Sequence, residues 1–316
     1  MKRIALALLA LSLLLAACTA QPENVPATGN GGPTVVATTT ILADVVAQVG
    51  GERVAVRTLL PVGVDPHSFE PAPSDLATVA HAAAVFVVGT GIEEGFLDNL
   101  VSSAGAEEQV IDVSAGVPLR PFAPGEAAAG DGEAAHADEA DPHVWFDPAN
   151  VAIWAENVAA ALSELDPPGA AAYAANAAAY RRQLDELDGW IRQQVDGLPP
   201  ERRSLVIDHT VLGYFAAAYG FEQVGAVVPG VSSSAQPSAQ DLARLEDTIR
   251  RLGVPAVFVG STVNPALAGR VAEDTGARLV PIYTDSLSEP GGEAGSYLDY
   301  MRYNVQAIVT GLQDQE

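Results

Sequence analysis

The pattern that most constrains this fold is an alternation of strand-type and helix-type segments, interrupted once by a single long helical stretch. The run that begins at Thr34 reads as a buried strand that opens into a helix, and the alternation resumes after the interruption. Such alternation indicates parallel sheets with crossover helices. Further strands are predicted at 53–59, 84–88, 204–208, 256–259 and 279–283. We therefore predict an α/β fold with two parallel-sheet lobes, over residues 34–166 and 198–316.

The interrupting stretch, residues 167–197, is rich in alanine and predicts one long helix. Pro167 and Pro168 suit its first turn, and Gly197 with the prolines that follow it ends the helix. At about 1.5 Å per residue it spans roughly 45 Å, which is enough to join the two lobes. The segment 170–188 contains no glycine, so we expect this linking helix to restrict lobe closure to small tilts and loop shifts.

The N-terminal end of the chain is typical of an exported protein. Two positive charges precede an apolar run over residues 4–17, a pattern typical of a secretory signal and too short for a spanning helix of roughly 20 residues. The run leads through small residues into Cys18, which resembles the bacterial lipoprotein box. That resemblance implies removal of residues 1–17, lipid attachment at Cys18 and anchoring on the outer face of the cytoplasmic membrane. Residues 18–33 are expected to form a flexible tether.

The charge balance narrows the choice of partners. The chain has 16 Lys+Arg against 40 Asp+Glu, a net charge of −24, which disfavours nucleic acid as a partner. The excess points either to cations or to solubility alone. Part of it lies in the low-complexity segment 123–141, which we expect to form a mobile acidic loop. Weak cation capture and a plain solvated insertion both remain open for this loop. The single cysteine excludes an intramolecular disulfide and a cysteine-rich metal cluster.

Three of the five histidines occupy positions where ligand-binding residues are expected in an α/β fold. His67 lies in a turn after a strand, His143 follows the acidic loop, and His209 follows the strand at 204–208. Imidazoles suit zinc, whereas carboxylates also suit manganese and magnesium. The three lie too far apart to match a local motif such as H-E-x-x-H. A metal site and hydrogen-bonded structural histidines therefore both remain open. His81 and His136 are interpreted as helix-surface and loop residues.

Sequence blocks around these histidines carry a family resemblance. They are DPHSFEPAPSDL at 65–76, DPHVWFDPAN at 141–150, the segment 209–220, YTDSLSEP at 283–290 and SYLDYMRYN at 296–304. Together they resemble the zinc/manganese-type solute-binding lipoproteins of bacterial ABC importers. The resemblance implies two α/β lobes with a linking helix, and a metal held between the lobes. It also implies four metal ligands, which are His67, His143, His209 and Asp285.

The chain departs from the family pattern at two places. It has Gln236-Pro237-Ser238 where Glu-Pro-Ser is frequent, and Val259-Gly260-Ser261 where a glutamate commonly follows the strand. Neither change removes an implied ligand, although both bear on the hydrogen bonds around the site. Three imidazoles and one carboxylate favour Zn²⁺ as the bound ion. Mn²⁺ is the alternative, although manganese-selective members tend to carry glutamate at the position of His209.

A zinc-dependent hydrolase is the alternative from another functional class, since three histidines and a water also form a catalytic site. Direct coordination by Asp285 leaves no position for an activated water, and the sequence offers no candidate for a general base. We therefore expect a monomeric binding protein, not an enzyme, whose partners are a divalent metal ion and a permease subunit. Because histidines bind metals when neutral, capture is expected to weaken as the pH falls through about 6.5.

Overall fold

The computed structural model describes residues 32–122, 140–228, 230, 233 and 236–313. The predicted signal segment, Cys18 and nearly all of the tether lie outside the described residues, as do positions 123–139 of the acidic segment. Among the helices in the described ranges, none combines the length and the apolar character that crossing a membrane requires.

Two four-stranded sheets, each entirely parallel, form two lobes. The N-terminal sheet consists of β1 (Thr34–Ala37), β2 (Ala55–Thr58), β3 (Val85–Val87) and β4 (Val110–Asp112). The C-terminal sheet consists of β5 (Ser204–Ile207), β6 (Glu222–Ala226), β7 (Ala256–Gly260) and β8 (Arg278–Ile282). Their strand orders are β2-β1-β3-β4 and β6-β5-β7-β8. The predicted two-lobe α/β fold is confirmed.

Local capping signals set where several helices begin. The Thr39 side chain accepts a hydrogen bond from Leu42 N, and Asp147 caps the next long helix in the same way. The described ranges contain nine α-helices. They are α1 (Thr40–Gly50), α2 (Pro73–Ala80), α3 (Leu97–Ala104), α4 (Pro148–Leu165), α5 (Ala170–Asp196), α6 (Gly213–Tyr219), α7 (Ala239–Leu252), α8 (Ala266–Thr275) and α9 (Tyr297–Leu312).

The strand order creates a binding crevice at the same place in both sheets. From β1 the chain adds β2 on one side and then crosses to the other side for β3, and the C-terminal sheet repeats this with β5, β6 and β7. Ligands in open parallel sheets bind at the carboxyl ends of the strands, at the point where the strand order reverses in this way. Any residue that follows these strands therefore lies close to the crevice.

The two lobes share one hydrophobic core. Each sheet has its own outer cluster, where Val36 and Val85 pack under α2 and α3, and Val206 and Val257 pack under α7 and α8. The inner faces of both sheets join α1, α4, α5 and α9 in a single continuous buried cluster. Opening the lobes widely exposes part of this cluster to water, at a cost of about 25 cal/mol per Å² of apolar surface.

Helix α5 corresponds to the predicted linking helix. Pro167–Gly169 form a 3₁₀ turn, and the 27-residue α-helix follows with a length of about 40 Å. Its buried stripe recurs every three or four residues and packs against α1 and α4 of one lobe and α9 of the other. The residues of the stripe are Tyr173, Ala177, Tyr180, Leu184, Leu187, Ile191 and Val195. The exact division of the chain into lobes and linker stays a prediction.

Candidate metal centre

The four residues singled out in the sequence converge in the fold. His67, His143, His209 and Asp285 each offer one ligand atom, and these atoms all lie within 4.8 Å of one another. Nε2 of His67 lies 3.4 Å from Nε2 of His143. Asp285 presents Oδ1 at 3.9 Å from Nε2 of His143 and Oδ2 at 3.8 Å from Nε2 of His209. Three nitrogens and a carboxylate thus surround one small volume.

Three of the four side chains lie in segments that follow a strand, and the fourth, that of His143, lies at the entry to a helix. His67 lies in the 3₁₀ turn Pro66–Ser68 after β2, where the Asp65 carboxylate accepts a hydrogen bond from the His67 backbone N–H. His143 immediately precedes the 3₁₀ turn that leads into α4. His209 follows β5 through one residue, and Asp285 follows β8. Two ligand candidates therefore come from each lobe.

Carboxylates fix the orientation of two of the three imidazoles. Nδ1 of His143 donates to Oδ1 of Asp141 at 2.9 Å, and Nδ1 of His209 donates to Oδ1 of Asp208 at 2.7 Å. When these carboxylates are ionised they only accept hydrogen bonds, so each imidazole, once neutral, carries its proton on Nδ1 and has the lone pair of Nε2 towards the centre. Asp208 is itself held because its Oδ2 accepts from the backbone N–H of Gly260. The arrangement prepares both imidazoles to bind a cation.

Two buried ligand atoms have no hydrogen-bond partner in the part of the chain that the structure describes. They are Nε2 of His209 and Oδ1 of Asp285. A buried polar atom without a partner costs roughly 1–3 kcal/mol, and such atoms are rare in folded proteins. Both atoms belong to the four-residue cluster, so a cation bound there gives each the partner it lacks. The donor set therefore fits a metal ion.

Burial and charge act in opposite directions on the histidine pKa values. Burial lowers the pKa of His67 and lowers that of His143 well below its usual range, so both imidazoles are neutral near pH 7. Burial also acts to lower the pKa of His209, but the carboxylates of Asp208 and Asp285 outweigh it and raise the pKa to about 9. Burial raises the pKa of Asp141 to about 7.

The raised pKa of His209 moves the expected pH dependence of metal binding to higher pH than the sequence predicts. His209 is protonated in the metal-free protein near pH 7, so a metal ion must displace a proton from it. Competition with protons thus extends up to about pH 9 and does not end near 6.5.

The remaining histidines stand apart from the centre. His81 ends α2, is exposed, and its Nδ1 lies 2.6 Å from the carbonyl oxygen of Ala77. His136 lies outside the described residues. Four polar residues around the centre have no role predicted from the sequence, and they are Asp141, Asp208, Thr262 and Thr284. The aspartate just before each histidine, in Asp-Pro-His and in Asp-His, could have indicated the two carboxylates, whereas no sequence signal marks the two threonines.

The fold and the centre together define a class, the two-lobed α/β proteins that bind a metal ion in the cleft between their lobes. The model of the family described as "ZnuA: Zinc-uptake complex component A periplasmic" matches residues 35–311. This chain therefore belongs to the ZnuA family of metal-binding, substrate-binding lipoproteins of ABC importers. That family comprises substrate-binding proteins and not enzymes, which excludes the hydrolase alternative.

Individual relatives agree on the class and differ in the metal that they are named for. The manganese-binding lipoprotein MntA of Halalkalibacterium halodurans is 35% identical over 306 residues, with 96% of each chain covered. The manganese ABC transporter substrate-binding lipoprotein PsaA of Streptococcus pneumoniae is 30% identical, with 95% of each chain covered. The structure of the periplasmic zinc binding protein TroA from Treponema pallidum has a TM-score of 0.80 and 28% identity, and the match covers 90% of this chain and 100% of TroA.

Proposed function

We propose that this protein captures Zn²⁺ at His67, His143, His209 and Asp285 and delivers it to the permease of an ABC importer. The observation that carries the proposal is that the ligand atoms of these four side chains lie within 4.8 Å of one another, and that two of these atoms are buried with no hydrogen-bond partner among the described residues. Three imidazole nitrogens and one carboxylate match the ligand types and the four-coordinate number that Zn²⁺ prefers.

Mn²⁺ is the second candidate cargo. The relatives MntA and PsaA are named for manganese, and a Mn-bound periplasmic metal binding protein from Candidatus Liberibacter asiaticus is similar in structure, with a TM-score of 0.76 and 26% identity. Within this chain, the observation in favour of Mn²⁺ is that both oxygens of Asp285 face an imidazole of the cluster. A carboxylate that binds through both oxygens raises the coordination number, which suits Mn²⁺ better than Zn²⁺.

Capture follows from the protonation states in the cluster. His67 and His143 are already neutral at physiological pH, so they bind the ion without losing protons. His209 gives up its Nε2 proton on binding, while Asp208 keeps Nδ1–H in place. Near pH 7 we therefore expect about one proton to be released per ion bound.

Release to the permease then requires only local movements. The lobes share a buried core, and α5 packs against helices of both. Hydrogen bonds also cross between them, since Tyr297 N donates to Asp44 and Tyr297 OH donates to the backbone carbonyl of Trp145. We infer that shifts of the ligand-bearing loops, and not a wide rotation of the lobes, open the site.

Metal content and competition measurements test this function. Purified lipid-free protein should hold one zinc ion per chain, and Zn²⁺ should displace Mn²⁺ at equal concentrations. The variants His67→Ala, His143→Ala and His209→Ala should each lose most of the zinc affinity. His81→Ala is the matched control, because His81 is an exposed imidazole away from the cluster. Full zinc binding in all three ligand variants would falsify the site assignment.

Export and anchoring are the remaining parts of the proposal. The sequence around Cys18 and the lipoprotein names of the relatives support lipid attachment at this cysteine on the outer face of the cytoplasmic membrane. Radiolabelled palmitate should label the wild-type protein in a bacterial host and should not label the variant Cys18→Ser. Light scattering of the lipid-free protein should give the mass of a monomer, and a stable dimer would contradict that part of the proposal.

A further inference from the structure

We infer that the hydroxyl groups of Thr262 and Thr284 set the metal preference of this site, because they hold one oxygen of Asp285 and leave the other for the ion. Oδ2 of Asp285 accepts a hydrogen bond from Oγ1 of Thr284 at 2.7 Å and another from Oγ1 of Thr262 at 3.1 Å. Oδ1 of the same carboxylate is buried and has no hydrogen-bond partner among the described residues. The inference rests on the proposed function, since it assigns how Asp285 binds the cargo.

Distance to the histidines does not distinguish the two oxygens of Asp285. Oδ1 lies 3.9 Å from Nε2 of His143, and Oδ2 lies 3.8 Å from Nε2 of His209. The difference is in their hydrogen bonds, because two hydroxyls donate to Oδ2, whereas no residue in the described ranges donates to Oδ1. A metal bond to Oδ2 has to weaken two charge-assisted hydrogen bonds, whereas a bond to Oδ1 displaces none.

The surroundings of Thr284 keep its hydroxyl in this position. Thr284 is fully buried, and its backbone carbonyl accepts hydrogen bonds from Trp145 Nε1 and from Tyr300 OH. The space beside Gly260 is also needed, since a Cβ there would lie 2.3 Å from Oγ1 of Thr284. The glycine in Val259-Gly260-Ser261, where the family resemblance leads us to expect a glutamate after the strand, thus makes room for this hydroxyl.

The chemical consequence is a four-coordinate site. With Asp285 bound through Oδ1 alone, three imidazoles and one oxygen give the tetrahedral number that Zn²⁺ prefers. Mn²⁺ favours six ligands that are mostly oxygens, so it gains when the second carboxylate oxygen becomes free. The two threonines are therefore positioning residues that act on selectivity through Asp285.

Threonine-to-valine substitutions test the inference, since valine has nearly the same shape and lacks the hydroxyl. In Thr284→Val and in Thr262→Val, the ratio of the manganese Kd to the zinc Kd should fall by about tenfold, the lower end of the effects seen for residues that orient metal ligands. Thr284→Ser keeps the hydroxyl and should retain the wild-type ratio. Thr78→Val, at a half-buried position of α2 away from the cluster, is the matched control and should also leave the ratio unchanged.

The Co²⁺ absorption spectrum gives a second reading that a general loss of stability does not produce. Four-coordinate Co²⁺ absorbs visible light more strongly than five- or six-coordinate Co²⁺. The wild-type and Thr284→Ser proteins should therefore give an intense band, and the valine variants a weaker one at full metal occupancy. Unchanged Kd ratios and unchanged spectra in both valine variants would contradict the inference.

A zinc-loaded crystal structure of the wild-type protein decides the question without any variant. One bonded oxygen of Asp285, with Oδ2 still accepting from both threonines, is the expected result. Two bonded oxygens overturn the inference while leaving the four-ligand site intact. By contrast, wild-type protein that binds no stoichiometric metal, or that keeps its affinity in His143→Ala, contradicts the proposed function itself. The two failures are therefore distinguishable.

Discussion

Replacing Asp208 by asparagine should change the pH dependence of metal binding more than the binding itself. In the wild-type protein, Oδ1 of Asp208 accepts from both the backbone N–H and the ring Nδ1–H of His209, and Oδ2 accepts from Gly260 N–H. Asparagine keeps the shape but has one acceptor oxygen and no charge. If its oxygen keeps the bond to His209, its amide group faces another N–H donor at Gly260. Both the orientation and the raised pKa of His209 are therefore weakened.

The size of the effect follows from the pKa of His209. With a pKa of about 9, the neutral fraction of His209 in the metal-free wild-type protein grows about 75-fold between pH 6.5 and 8.5. Zinc affinity should rise by about the same factor, because one proton leaves for each ion bound. In Asp208→Asn, burial is no longer outweighed by this carboxylate, so the pKa of His209 falls. At an ordinary value of about 6.5, the gain over the same range is only about twofold.

Loss of the orienting carboxylate also lowers the zinc affinity of the form with neutral His209 by about 10- to 100-fold. The wild-type protein should thus bind zinc about 2- to 25-fold more tightly than Asp208→Asn at pH 8.5, and this ratio should fall about 40-fold by pH 6.5, where the variant binds at least as tightly as the wild type. Competition with a chelator of known pH-dependent affinity measures both curves. Asp247→Asn removes the same charge from an exposed position and is the matched control. Parallel curves for wild type and Asp208→Asn between pH 6.5 and 8.5 would refute this reasoning.

Further predictions concern the shared core. Leu187 in α5 is fully buried in the cluster that spans both lobes. The variant Leu187→Ala should therefore lose about 2–5 kcal/mol of unfolding free energy and still unfold in a single transition. The control variant Leu252→Ala, at a partly exposed position, should lose little. Denaturant unfolding followed by fluorescence and circular dichroism measures this, and two separate transitions would contradict a common core. Metal-free and metal-loaded crystal structures should differ by small tilts and loop shifts only, and a wide clamshell rotation would show that α5 and the core do not restrain the lobes.

Much of the architecture can be predicted from local patterns in the sequence. The apolar runs at Thr34 and Ala256 and the alanine-rich stretch after Pro168 are strong local signals, and the structure places strands and the long helix there. The observed ends of these elements differ from the predicted ends by a few residues, because side-chain caps such as Thr39 before α1 decide where helices begin. Parallel pairing then follows from the alternation of strands with helices.

Other elements carry weaker signals and were not predicted. Strand β4 has only three residues. Strand β6 is paired with β5 alone, and the register of this pairing shifts. Neither strand shows a clear apolar alternation in its sequence. Helices α3 and α8 are short and follow glycine- or proline-containing turns. Their positions depend on packing against β1, β3 and β7 and not on a strong sequence pattern of their own.

The site divides in a similar way between what the sequence can and cannot indicate. Strand-end positions made His67 and His209 candidates, but only the family resemblance made Asp285 one, since an aspartate is too common to stand out. The convergence of the four groups depends on how two lobes pack, and no local pattern encodes that. The roles of the Thr262 and Thr284 hydroxyls are even harder to predict from the sequence. Thr262 follows β7 and Thr284 follows β8, and only the fold brings both hydroxyls to Asp285.

The most direct test of this account is an anomalous scattering map, recorded at the zinc absorption edge, from crystals of the protein loaded with one equivalent of Zn²⁺. It should contain a single strong peak per chain, about 2.0–2.2 Å from the Nε2 atoms of His67, His143 and His209 and from an oxygen of Asp285. A principal peak elsewhere, or one that any of these side chains fails to reach, would contradict a metal site in the cleft between the lobes.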